Sequence, residues 1–218
     1  MDRQEILQKL LDSKIVAIVR SPSSAELVSV ARALLEGGIG AIEVTFTVPN
    51  ALEVLNGIAR ELGEAIILGA GTVLDAETAR LAILAGAQFI VAPNTSQQVI
   101  RVCRRYSKVA IPGAFTPTEI VRAWEVGADI VKVFPAEIGG PAYIRALRAP
   151  LPQIRLMPTG GVNLQTAGDF LRAGACCLGI GSQLVEPRAI AERNFSRITE
   201  LARQYVSIVR QYSEDCNS

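Results

Sequence analysis

Two ionisable side chains lie where an amino-acid sequence ordinarily keeps charge out. Lys132 interrupts the apolar run Ala128-Asp-Ile-Val-Lys-Val-Phe-Pro-Ala136, and Glu43 interrupts Ala41-Ile-Glu-Val-Thr-Phe-Thr47. Charged groups are almost never fully buried without a partner. A lysine held in apolar surroundings is pushed towards its neutral form, and the neutral amine is a nucleophile. Taken alone, Lys132 fits better a strand end whose stem carries the ammonium out to water. Its companions change that balance. Alternation puts Lys132 on one strand face with Ile130 and Phe134, and Glu43 on one face with Ala41 and Thr45. Arg20, Thr47, Thr72 and Thr159 stand at the ends of other apolar runs.

The chain has no histidine. Imidazole zinc sites, Ser-His-Asp triads and histidine acid–base chemistry are therefore excluded, and protons must move on Asp, Glu, Lys, Tyr, Cys, a substrate group or water. Cys103, Cys176, Cys177 and Cys216 form neither a metal-ligand pattern nor a disulfide framework, which fits a reducing cytoplasm. An amine and a carboxyl group, without metal or cofactor, suffice for one kind of chemistry. A neutral lysine condenses with a ketone, and the iminium ion then takes up the electron pair of a breaking C–C bond. The carboxyl group shuttles the protons. This is the chemistry of a metal-free aldolase.

Two glycine turns add an anion site. Thr159-Gly160-Gly161 and Gly179-Ile-Gly181-Ser182 follow consecutive apolar runs. Glycine lets a backbone approach an anion closely and present its N–H groups. A phosphate held there suits a substrate whose other end reaches Lys132.

The elements that must position these groups follow from a recurring pattern. Helical stretches run into Gly37, Gly86, Gly127 and Gly174, each read as the left-handed residue that ends a helix, and a short apolar run follows each time. Strands are expected near residues 15–20, 39–45, 65–70, 88–92, 108–112, 129–134, 154–158 and 176–181, with helices between them and one before the first. Eight such units predict a (β/α)8 TIM barrel with an N-terminal helix, in which chemistry gathers at the carboxyl ends of the strands. An open doubly wound sheet is the alternative, but no GxGxxG follows the first strand. No linker or composition break divides residues 1–218, so one domain is expected. With 50% hydrophobic residues, 20% charged residues and a net charge of +1, the 218-residue chain shows no basic stretch for nucleic acid and no apolar run of membrane-spanning length. Its first residues lack an apolar signal-peptide core.

In combination the motifs closely resemble the bacterial 2-keto-3-deoxy-6-phosphogluconate (KDPG) aldolase / 4-hydroxy-2-oxoglutarate (KHG) aldolase family. The matching segments are IVAIVR at 15–20, GGIGAIEVTFTVPNA at 37–51, GAGTVL at 69–74, GAQFIVAPN at 86–94, IPGAFTPTE at 111–119, ADIVKVFPA at 128–136, MPTGGVN at 157–163 and GIGSQLV at 179–185. The resemblance implies a cytoplasmic, homotrimeric class I aldolase that needs no metal or cofactor and splits a phosphorylated 2-keto sugar acid. It puts the Schiff-base lysine at Lys132 and the general acid/base at Glu43. Arg20, Thr72 and the backbone around Pro93 match positions around the pyruvate unit, and Phe134 an aromatic wall. Thr159, Gly160, Gly161, Gly181 and Ser182 match the substrate and phosphate contacts. One departure stands out: many members carry an arginine where this chain has Thr47, which leaves Arg20 as the obvious cation for the carboxylate. A phosphosugar epimerase or isomerase on the same scaffold would use the phosphate turns without an imine. A catalytically silent barrel would bind phosphate and turn over nothing.

Overall fold

Short apolar runs alternate with amphipathic stretches along the chain, and strands alternate with helices in the same order. The computed structural model describes residues 1–215; Cys216 lies outside the described residues. The strands are β1 (Ile15–Val19), β2 (Ala41–Thr45), β3 (Ile67–Gly71), β4 (Phe89–Val91), β5 (Val109–Ile111), β6 (Gly113–Ala114), β7 (Val131–Val133), β8 (Leu156–Pro158) and β9 (Leu178–Ile180). The main helices between and around them are α1 (Arg3–Ser13), α2 (Leu27–Glu36), α3 (Ala51–Leu62), α4 (Ala76–Leu84), α5 (Gln97–Arg105), α6 (Pro117–Glu125), α7 (Gly140–Arg148), α8 (Ala167–Arg172), α9 (Pro187–Ala191) and α10 (Phe195–Asp215).

All strand pairs are parallel, and they form two sheets. Six strands run in the order β5-β4-β3-β2-β1-β9, and three in the order β6-β7-β8. The expected fifth strand is thus two strands, because Pro112 falls between β5 and β6. Proline has no N–H to give to a ladder. β5 pairs with β4 while β6 pairs with β7, so the break at Pro112 also separates the sheets. On the other side β8 meets β9 through a single bridge, Thr159 to Gly179.

The two faces of the strands bury two separate cores. The outward faces pack on the helices, with Leu34, Ile42, Leu55, Ile58, Phe170 and Tyr205 among the buried side chains. The inward faces meet α1. A capping box of Asp2 and Glu5 starts this helix. Ile6, Leu7 and Leu10 then pack against Val16, Ala41, Ile67, Phe89 and Met157, all near the amino ends of their strands. Arg3 pairs with Asp129, whose Oδ2 also accepts the Ala110 N–H at 2.9 Å. This end is filled with apolar side chains, and the polar groups lie at the other.

Among the described residues no helix is long and apolar enough to cross a membrane. Three of the four helix-ending glycines have positive φ, at Gly86 (105°), Gly127 (103°) and Gly174 (99°). The fourth is a correction: Gly37 has φ −79° and the left-handed residue is Gly38, at 92°. Gly37 serves close packing instead. A Cβ there would overlap that of Ala202 in α10 and lie 2.9 Å from the Thr199 carbonyl oxygen. Gly37→Ala should therefore destabilise the fold by about 1–3 kcal/mol, the usual cost of overpacking. Equal denaturation midpoints for variant and wild type would mean that α10 yields freely at this contact.

Candidate active site

The inward faces place the two ionisable groups as the alternation predicts. Glu43 lies in the middle of β2, opposite Gly69 of β3, and Gly71 lies two residues further along β3, opposite Thr45. A Cβ on Gly71 would overlap the Glu43 carboxyl, so the missing side chain is the space that the carboxyl occupies. Glu43 is 0% exposed, and neither of its oxygens has a hydrogen-bond partner among the described residues. Burial pushes its carboxyl above the usual range, against the opposing pull of Lys132 and Arg20. Lys132 lies in the centre of β7, opposite Gly113 and Met157. It is 7% exposed, and its amine lies 5.1 Å from the centre of the Phe134 ring.

Around the amine is a cavity of about 760 Å³ lined by Arg20, Thr47, Lys132, Phe134, Thr159, Gly160, Gly161, Gly181 and Ser182. This is the size of a small-molecule site. Thr159 is buried, and its Oγ1 has no hydrogen-bond partner among the described residues. Gly160 and Gly161 have φ of 91° and 72°, backbone conformations that favour glycine. Neither N–H donates to another backbone carbonyl among the described residues. Amine, guanidinium and glycine turns thus come from separate loops and strands to one mouth.

Three of the selected residues are placed differently. Glu43 lies behind the cavity wall rather than on it. Pro93 lines a neighbouring cleft of about 460 Å³, which shares Phe134 with the cavity. Thr72 lines neither: it follows β3 with φ 57°, a conformation that costs a non-glycine residue on the order of 1–3 kcal/mol. Glu137, Asn163 and Gln183 also line the cavity and were not singled out. Loops carry no periodicity to reveal them. Glu137 does directly follow the segment 128–136, and Asn163 and Gln183 lie inside the segments 157–163 and 179–185; that position was the available signal. Among the described residues no group of three or more Cys, Asp and Glu side chains could hold a metal ion.

Fold and site together define a class, an α/β enzyme equipped for carbonyl chemistry through a lysine amine. Residues 6–201 match the model of the KDPG and KHG aldolase family, and the chain belongs to that family. It is 39% identical to a 2-dehydro-3-deoxy-phosphogluconate aldolase of Treponema pallidum, over 94% of this chain and 97% of that protein. It is 34% identical to a KHG/KDPG aldolase of Escherichia coli, over 90% of this chain and 92% of the other. A crystal structure of KDPG aldolase from Legionella pneumophila, with pyruvate captured as a covalent carbinolamine, superposes with a TM-score of 0.85 at 27% identity. That match covers 93% of this chain and 97% of the other.

The burial of Glu43 makes stability depend on pH with a definite sign. Its folded pKa lies above the ordinary value of 4.5, so between the two the folded protein binds more protons than the unfolded chain. The contribution of the protonated group is complete below pH 4.5 and is lost as pH rises through the raised folded value. Glu43→Gln is neutral at every pH and escapes that loss. Denaturant titrations should show the variant gaining on wild type as pH rises from 4.5 to neutrality. A stability difference constant with pH would mean that Glu43 titrates at its ordinary value.

Proposed function

We propose that this chain is a class I aldolase that cleaves KDPG to pyruvate and glyceraldehyde 3-phosphate, and also KHG to pyruvate and glyoxylate. One observation supports the site assignment: the Lys132 amine on the cavity wall acts on a fully buried carboxyl group, Glu43, that has no hydrogen-bond partner among the described residues. Family membership carries the reaction.

In this mechanism the neutral Lys132 amine adds to the substrate's C2 carbonyl, and loss of water gives an iminium ion. The Glu43 carboxylate takes the proton of the C4 hydroxyl, directly or through water. The C3–C4 electron pair flows into the iminium as an enamine, and the aldehyde leaves. Protonated Glu43 then returns its proton to C3. Hydrolysis of the resulting imine releases pyruvate and restores the amine. A raised carboxyl pKa suits a group that must be base in one step and acid in the next. Arg20 binds the carboxylate, with Thr72 and the backbone at Pro93 beside the pyruvate unit, and Phe134 walls the pocket. Thr159, Gly160, Gly161, Gly181 and Ser182 take the phosphate end. N–H groups that donate to an anion make the stronger, charge-assisted kind of hydrogen bond.

The same reading extends to the whole chain. The two sheets act as one closed eight-strand barrel, a reading supported by the Thr159–Gly179 bridge and by the chain's direct passage through Pro112. Residues 1–218 form one domain that works as a cytoplasmic homotrimer. Exposed Leu74, Leu81 and Leu84 supply apolar surface for such association.

Borohydride reduction in the presence of pyruvate should modify the protein irreversibly, and peptide mapping should find the adduct on Lys132. Label on any other lysine removes the mechanism. Glu43→Gln should retain the fold and lose roughly 10²–10⁴ in kcat, the scale of a general acid/base. Near-normal turnover of this variant at saturating substrate would transfer the role to another group.

A further inference from the structure

The adjacent thiols of Cys176 and Cys177 have no part in the chemistry of the cavity. In an extended strand neighbouring side chains point to opposite faces. These two residues lie instead in a bend between α8 and β9, and there their Sγ atoms are 3.7 Å apart. The bend leads into the amino end of β9, whereas Gly181 and Ser182 follow its carboxyl end. Cys177 belongs to the inner apolar core, and Cys176 packs against that core with Leu11. Cys177 is buried and Cys176 only partly so, which leaves one sulfur enclosed and the other within reach of solvent.

Two sulfurs at this separation suit one bridging atom. Bonds from a soft centre to thiolate sulfur are about 2.3 Å long, and two such bonds spanning 3.7 Å enclose an angle of about 107°, close to tetrahedral. Among the described residues no group of three or more Cys, Asp and Glu side chains could hold a metal ion, so a zinc ion would find only half of its four ligands here. The hydrogen bond with Cys176, and then burial, hold the Cys177 thiol well above its usual range, which disfavours a centre that needs free thiolates. The pair fits a centre that takes two sulfurs, brings its own third substituent and leaves no charge behind.

We propose that Cys176 and Cys177 form a vicinal dithiol site for trivalent organoarsenicals. The arsenical enters as an arsonous acid, with one carbon group and two hydroxyls on arsenic. Two As–S bonds form and two As–O bonds break. The thiol protons depart with the hydroxyls as two water molecules. Arsenic stays trivalent throughout, and the adduct is neutral, as the enclosure of Cys177 requires. Cys176 makes the first bond from the solvent side, and Cys177 closes the ring.

The test is independent of the aldolase reading. The folded chain, freshly reduced and freed of reductant, is treated with phenylarsine oxide and analysed by intact mass and peptide mapping. One arsenical per chain should survive excess 2-mercaptoethanol and be released by dithiothreitol, with the label on the peptide that holds residues 176–177. Cys176→Ser and Cys177→Ala should each leave an adduct that the monothiol strips about 10²–10⁴-fold faster, because only a two-point attachment gains from effective concentration. Cys103→Ala should retain the label as wild type does. Circular dichroism checks that each variant is folded, and Cys176→Ser at the partly buried position decides the matter if Cys177→Ala fails to fold. Monothiol-resistant label on another peptide, or equal retention by Cys176→Ser, overturns the proposal. Label that appears only after denaturation overturns it as well, since the folded chain would then shut Cys177 off from the reagent.

Discussion

A fully buried carboxyl group with no hydrogen-bond partner among the described residues is the constraint on which this structure depends, and its surroundings are arranged around it. An ionised carboxylate loses several kcal/mol of hydration when buried, and only fixed opposite charge or protonation compensates. Glu43 has Lys132 and Arg20 to draw it towards the charged form and complete burial to hold it back. Burial prevails in that balance and holds the carboxyl above its usual range. Maintaining that balance requires rigid walls. The parallel strands supply them, Gly71 clears the space, and the apolar layers inside and outside the sheets supply the stability that this arrangement draws on.

Period-two alternation was enough to aim Lys132 and Glu43 inward from sequence, because a strand leaves a side chain only two faces to choose between. The strand sites followed from the same rule, and the residues of the glycine turns line the cavity as their motifs suggested. What stayed illegible depended on distant neighbours. Gly37 and Gly38 are indistinguishable locally, and the choice between them is made by α10, which needs Gly37 bare. Pro112 was visible, but the break it makes in the ladder depends on which strands flank it. Thr72 turns into a positive φ that threonine rarely adopts, so no propensity argument could foresee its withdrawal from the cavity wall. The separation of Pro93 from the main cavity arises from the position of the Phe134 ring between two clefts.

The absence of histidine narrows the chemistry in a way that the geometry repeats. Every proton-handling group in the cavity region is a carboxyl, an amine or a hydroxyl, and each is held by a regular strand or by the turn next to one. Hydroxyls are ambiguous groups in isolation, able to give or to take. Thr45 and Thr47 illustrate this, their hydroxyl oxygens 2.7 Å apart with either able to donate.

The amino-terminal helix has a consequence for traffic. Ile6 and Leu10 are completely enclosed and fill the amino-end side of the inner space with apolar packing, so on the proposed mechanism a molecule enters and departs at the carboxyl ends of the strands. On that mechanism a compound attached at its inner end to Lys132 sits like a bead on a spindle. The outer fragment, once cut free, is nearest the door and leaves first; the inner fragment stays tethered until water reaches it. Order of departure is then a property of the architecture, decided by a plug of three aliphatic side chains far from any bond that breaks.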